Sequence, residues 1–150
     1  MNEHLARLEG DRAGRDPVYP HAPAQSGPVL LAIPADRGQV TLVRSVAGHF
    51  GARLGLSVAQ LTDLQLAVAE ACSLFLLAPG FPATGMLECR FENPPQAMRI
   101  MVSAVVAPGV APDVDDIGWI MLGALVDELT WQVVDGIGTV TLFTRLDREA

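Results

Sequence analysis

The chain has no lysine: all ten of its basic residues are arginine, set against 17 acids. A formal net charge of -7 argues against nucleic acid as a partner, because binding it requires phosphate neutralisation by basic groups. Arginine without lysine points to a GC-rich genome. Cysteine is sparse too, with two residues. Cys72 and Cys89 have no further Cys or His at metal-ligand spacing, so each is expected to act as a small core hydrophobe with a reduced thiol. His4, His21 and His49 are too scattered to build a metal site or a triad, and no Ser-His-Asp or Cys-His constellation can be assembled. No apolar run reaches the roughly 18 residues needed to cross a bilayer. Arg and acids interrupt the N-terminal stretch, so the apolar segment of a signal peptide is missing. These absences together predict a cytoplasmic protein with no membrane contact.

What the chain does have is apolar substance. It is 50% hydrophobic and 18% charged over 150 residues, the balance of one folded domain able to bury a core without staples. Residues 1–28 depart from it, mixing Arg, Asp, Gly, Pro, His and Gln with almost no large apolar side chain after Leu8. Such a segment cannot offset its ordering entropy, and a disordered tail is expected there. A short helix over Glu3–Leu8 has propensity alone behind it. The domain is expected to span residues 29–150. Its acidic surface suits a basic protein partner, through steering more than affinity.

Val29-Leu-Leu-Ala-Ile33 reads as a first strand closed by Pro34. Asp36 can cap a helix in which Val40, Val43, Ala47, Phe50 and Leu54 recur at steps of three and four, with Gly55 as its stop. Ser57-Val-Ala-Gln60 fits a capping box, opening a second helix that runs to about Leu77 and ends at Pro79-Gly80. Met86–Phe91 and Met98–Val106 read as strands joined by a turn-rich linker. A loop from Pro108 to Asp116 carries three acids, and helical spacing returns from Ile117 to Leu129. Trp131–Val134 and Thr139–Leu146 form a closing hairpin around Asp135-Gly-Ile-Gly138, whose glycines permit positive φ. Trp119 and Trp131 are most simply core aromatics. The order β-α-α-β-β-α-β-β predicts an α/β two-layer sandwich, a mixed or antiparallel sheet of about five strands with three helices on one face.

One residue stands out in this pattern. Asp63-Leu-Gln-Leu-Ala-Val-Ala-Glu-Ala-Cys-Ser-Leu-Phe-Leu-Leu77 is an apolar helix carrying Glu70 where a structural helix would want no acid. That stretch, with Leu30-Leu-Ala-Ile-Pro-Ala35, Leu42-Val-Arg44 and Gly118-Trp-Ile-Met-Leu-Gly-Ala-Leu-Val-Asp-Glu-Leu129, resembles anti-sigma factors of the RsbW/SpoIIAB type. These are GHKL (Bergerat-fold) histidine-kinase-like ATPases, and the likeness is to their divergent actinobacterial branch. It covers nearly all of residues 29–146. No single piece is specific, whereas their order and spacing together are.

The resemblance implies a sigma factor as partner, release by a STAS-domain anti-anti-sigma factor, a homodimer, and ATP with magnesium as the family ligand. In active members the Glu of the second helix activates a nucleophile and an Asn four residues on holds magnesium. Here Glu70 occupies the first position and Leu74 the second, and hydrocarbon cannot ligate magnesium. Ala104 and Val106 stand where the family places its adenine-accepting Asp and the first following Gly. Of the glycine-rich phosphate lid only Gly118 remains, beside Asp113, Asp115 and Asp116, which would repel a polyphosphate. The nucleotide site thus reads as degenerate and Glu70 as vestigial, with ATP binding expected weak or absent. Arg44 corresponds to an Arg on the family's partner-binding face, and the three aspartates are expected near that surface too. Three readings follow. The first is a non-catalytic anti-sigma factor, the second an ATP-dependent serine kinase acting on the STAS antagonist. The third is a regulatory module with an unrelated partner, since fold and function separate.

Overall fold

The computed structural model describes residues 27–77 and 85–146. The expected tail, its short helix, His4, His21 and the Pro79-Gly80 helix stop lie outside the described residues. The elements are β1 (Val29–Pro34), α1 (Val40–Arg53), α2 (Val58–Leu76), β2 (Met86–Glu92), β3 (Ala97–Val105), α3 (Ile117–Leu125), β4 (Glu128–Val134) and β5 (Ile137–Arg145). All pairings are antiparallel, in the spatial order β1-β2-β3-β5-β4.

Strand alternation sorts the sheet into two faces. Ile33, Leu87, Cys89, Phe91, Ile100, Val102, Val140 and Leu142 are buried and join Val43, Ala47, Val68, Phe75 and Leu122 of the helices in one apolar cluster. The expected α/β sandwich is what forms, with the sheet purely antiparallel. Glu88, Arg90, Arg99, Met101, Thr139, Thr141 and Phe143 alternate onto the other face, which carries no helix among the described residues.

Caps set the helix boundaries. The Asp36 side chain accepts from Gly38 N–H, but it opens a 3-10 turn (Arg37–Gln39) and α1 proper starts at Val40. The capping box forms in full: Ser57 Oγ accepts from Gln60 N–H and Gln60 Oε1 accepts from Ser57 N–H. Gly55, at φ 81°, ends the first helix as expected. The two helices approach through small residues. A Cβ added at Gly51 would stand 2.7 to 2.9 Å from Leu61, Leu64 and Leu56, and one at Gly48 would meet the Gln65 amide. Gln65 Nε2 donates to the Arg44 carbonyl across that gap.

Two boundaries differ from expectation. The third helix ends at Leu125, four residues early. Val126 is already extended, Asp127 N–H donates to Phe143 C=O, and Leu129 pairs with Leu142. Ladder bonds therefore take a stretch whose apolar spacing also fits a helix. The last turn is also tighter than Asp135–Gly138. Only Asp135 and Gly136 have positive φ, at 52° and 78°, the two-residue form whose twist matches the flanking strands. Gly138 sits inside β5, where the Trp131 ring lies against it and leaves no room for a Cβ. Trp131 also approaches Phe75, ring centroids 5.9 Å apart, and Trp119 is half-buried against the core.

Candidate functional site

The residues singled out on the second and third helices meet where the C-terminal half of α2 faces the start of α3. Glu70 is half-buried there. Its Oε2 lies 3.1 Å from where a Cβ on Gly118 would be, and Asp116 Oδ2 lies 3.0 Å from the same point. Asp116 is the α3 N-cap, accepting from Gly118 N–H at 3.0 Å. The unpaired amides and dipole of a helix N-terminus favour negative charge. Both carboxylates lie at this end, and Asp116 alone of the two accepts a hydrogen bond from the helix. Gly118 supplies the clearance that lets both approach.

Leu74 follows Glu70 by one helical turn and points inward, 6% exposed; Ala104 and Val106 are 5% and 6% exposed. All three belong to the single apolar cluster. None offers a side-chain oxygen or nitrogen, so magnesium and an adenine amino group would meet hydrocarbon at these positions.

The acidic loop is built largely on itself. Asp113 Oδ1 accepts from Asp115 N–H at 2.9 Å and its carbonyl accepts from Asp116 N–H at 3.0 Å. All three aspartates are exposed. Arg44 lies on the outward side of α1, exposed and in no ion pair among the described residues. The fold thus brings Glu70, Asp116 and Gly118 together and sets Arg44 on a different helix. His49 is exposed on α1, and no group of three metal-ligating side chains occurs among the described residues.

Three features escaped the sequence reading. A cavity of about 90 Å³ lies at the opposite end of α2, lined by Leu64, Ala67, Met98, Ile100 and Leu142 with Asp63 among its polar residues. None of Glu70, Leu74, Ala104, Val106 or Gly118 lines it. On the open sheet face, Glu92 accepts from Arg90 Nε at 2.7 Å and from Arg99 Nε at 2.8 Å. Those bonds hold its carboxyl below the usual carboxylate range. Alternation on paired strands was the available signal, since Glu92 is opposite Arg99 in the register. Third, Cys72 of α2 and Cys89 of β2, buried and free as expected, also lie within hydrogen-bonding reach of each other. The hydrogen bond between the thiols and their burial push Cys72 up, leaving a neutral core thiol.

No family model matches the chain, and no curated protein matches it. Among solved structures it is similar to the crystal structure of the RsbU and RsbW domains of Rv1364c from Mycobacterium tuberculosis, with a TM-score of 0.65 at 21% identity. The match covers 83% of this chain and 33% of that one. The chain therefore spans about a third of the solved chain it matches. Among the described residues no helix is long and apolar enough to cross a membrane. The fold is RsbW-like.

Proposed function

We propose that the protein is a non-catalytic partner-switching regulator: an anti-sigma factor that sequesters a sigma factor from RNA polymerase and yields it to a STAS-type antagonist. The RsbW-like fold supports the regulatory class. One observation supports the loss of catalysis within it: Leu74, where the resemblance calls for a magnesium ligand, is packed into the core. A water-excluding hydrocarbon at that point cannot hold a metal that keeps most of its hydration shell. Ala104 and Val106 add the same deficit for the base. Arg44 and the acidic loop, being exposed and charged, suit contacts that steer association.

Calorimetric titration of the full chain with Mg-ATP is expected to show no saturable heat in the micromolar range. Saturable binding would revive the second reading, a serine kinase, which keeps Glu70 beside Gly118 in its favour. Partner identity is tested by pairwise two-hybrid assay against every sigma factor and STAS-domain protein of the source genome. At least one of each is expected to score, and Arg44→Ala should weaken the sigma pairing without shifting the melting temperature. Silence against all sigma factors would overturn the reading.

A homodimer belongs to the same proposal. β1 is an edge strand, and its Val29 and Leu30 are 39% and 57% exposed. Free edges carrying apolar side chains invite another chain. Light scattering of the full chain at high concentration is expected to give twice the monomer mass.

A further inference from the structure

The third helix is underused by its own domain. α3, Ile117-Gly-Trp-Ile-Met-Leu-Gly-Ala-Leu125, carries no polar or charged side chain, yet Leu122 is its one buried residue. A helix apolar all round belongs in an interior or against something else. Ile117 and Ile120 are 77% and 57% exposed, and Ala124 is exposed too. Steps of three and four put these residues on one side, an outward stripe. Val114, in the loop before the helix, is 66% exposed as well.

Charge decides what can cover that stripe. Asp113, Asp115 and Asp116 border its N-terminal end, and Glu70 reaches the first turn from α2. None of the four is in an ion pair among the described residues. A second copy applied to this patch by a two-fold axis would set these acids against each other if the helices ran parallel, and against Asp127 and Glu128 beyond the far end of α3 if they ran antiparallel. An anionic bilayer would be repelled in the same way. A basic partner meets no such conflict.

We infer that the outward stripe of α3, with its acidic border, is a docking surface for a basic amphipathic helix of another protein. Aliphatic side chains of that helix cover Ile117 and Ile120 while its Arg or Lys residues face Asp113, Asp115 and Asp116. This is recognition of an amphipathic helix by its apolar face, with charge fixing orientation. It rests on the regulatory reading only in taking the ligand to be a protein.

The probe is a synthetic Leu/Lys peptide with helical spacing, titrated into the isotopically labelled full chain and followed by amide NMR shifts. Saturable shifts confined to residues 113–124 are expected, weakening as salt rises. The I117D/I120D double variant should bind at least about tenfold more weakly, a change of about 1.4 kcal/mol. Its unchanged melting temperature shows that it folds. Asp115→Asn, whose side chain caps nothing, should cost about threefold through lost charge attraction. Shifts centred on the open sheet face or the α2 cavity would overturn the proposal, as would equal binding of a matched Leu/Glu peptide. Self-association abolished by the double variant would also overturn it, because a second copy would then be the occupant. The two-hybrid result is separable: confined shifts with silence against every sigma factor would sink the anti-sigma reading and leave this surface standing.

Discussion

Helices α2 and α3 are both apolar, and they spend that character differently. α2 buries seven residues, Leu64, Ala67, Val68, Ala71, Cys72, Leu74 and Phe75, on the side facing the sheet and α3. α3 is the more uniformly apolar and buries one, Leu122. Composition therefore does not rank the two for structural weight; position does. α2 lies between α1 and α3 above the middle of the sheet, so its inward stripe is enclosed. α3 flanks α2 and packs by one side only, so much of its apolar surface stays exposed.

The largest effect that could break this contrast is at the centre of α2. Phe75 is fully buried and touches the Trp131 ring that covers Gly138. Phe75→Ala removes that packing and leaves a cavity, with an expected loss of about 3–5 kcal/mol. Urea unfolding at fixed m-value measures it. A loss under about 1 kcal/mol would mean that α2 does not anchor the core.

The next effect belongs to the junction between the helices. Asp116→Ala deletes the α3 cap and the acceptor of Gly118 N–H, which costs about 1 kcal/mol. Amide exchange should show it as faster opening of α3 with little change in α2. Uniform acceleration across both helices would show instead that they unfold as one unit.

How far this contrast was legible in sequence can be followed through particular residues. The spacing of Val43, Ala47 and Phe50 revealed the buried stripe of α1, and Ser57 with Gln60 revealed the start of α2, because local chemistry fixes both. The end of α3 was not legible. In Val126-Asp-Glu-Leu129 the two apolar residues stand three apart, a helical step, and only pairing with β5 makes the stretch a strand. Gly48 and Gly51 gave no signal either, since their role is to vacate space for residues from another helix. At the candidate site, the residue types at 70, 74, 104, 106 and 118 were readable. Their placement was not: that Glu70 lies beside Gly118 at the N-terminal end of α3 is a tertiary fact. The exposure of Ile117 and Ile120 was hidden for the same reason, because an apolar residue at helical spacing looks identical whether a neighbour covers it or not.

A smaller effect lies on the helix-free sheet face. Glu92 is held by Arg90 and Arg99, which depress its folded-state carboxyl. A depressed carboxyl contributes stability that is present above its unfolded value, near pH 4.3, and is lost as pH falls through the lower folded value. Glu92→Gln should therefore cost under about 1 kcal/mol at neutral pH. The difference from the unchanged chain should shrink as the solution is acidified below about pH 4. A gap that widens on acidification would mean that the arginine contacts do not form in solution.

The smallest effect is the one that sharpens the contrast most. Ile117 stands in the first turn of α3 with 77% of its surface in water, so a polar residue there forfeits almost no burial. Isoleucine and serine also have similar intrinsic helix preferences. Ile117→Ser is thus expected to change stability by less than about 0.5 kcal/mol, within the range of ordinary surface substitutions. The same change at a buried apolar position of α2, Val68→Ser, should cost several times more, because it both empties space and buries a hydroxyl. Urea midpoints of the two variants, measured side by side, make the comparison. If Ile117→Ser destabilised the chain by more than about 1 kcal/mol, the stripe would be part of the domain's own packing. A docking role for α3 would then have no free surface to rest on.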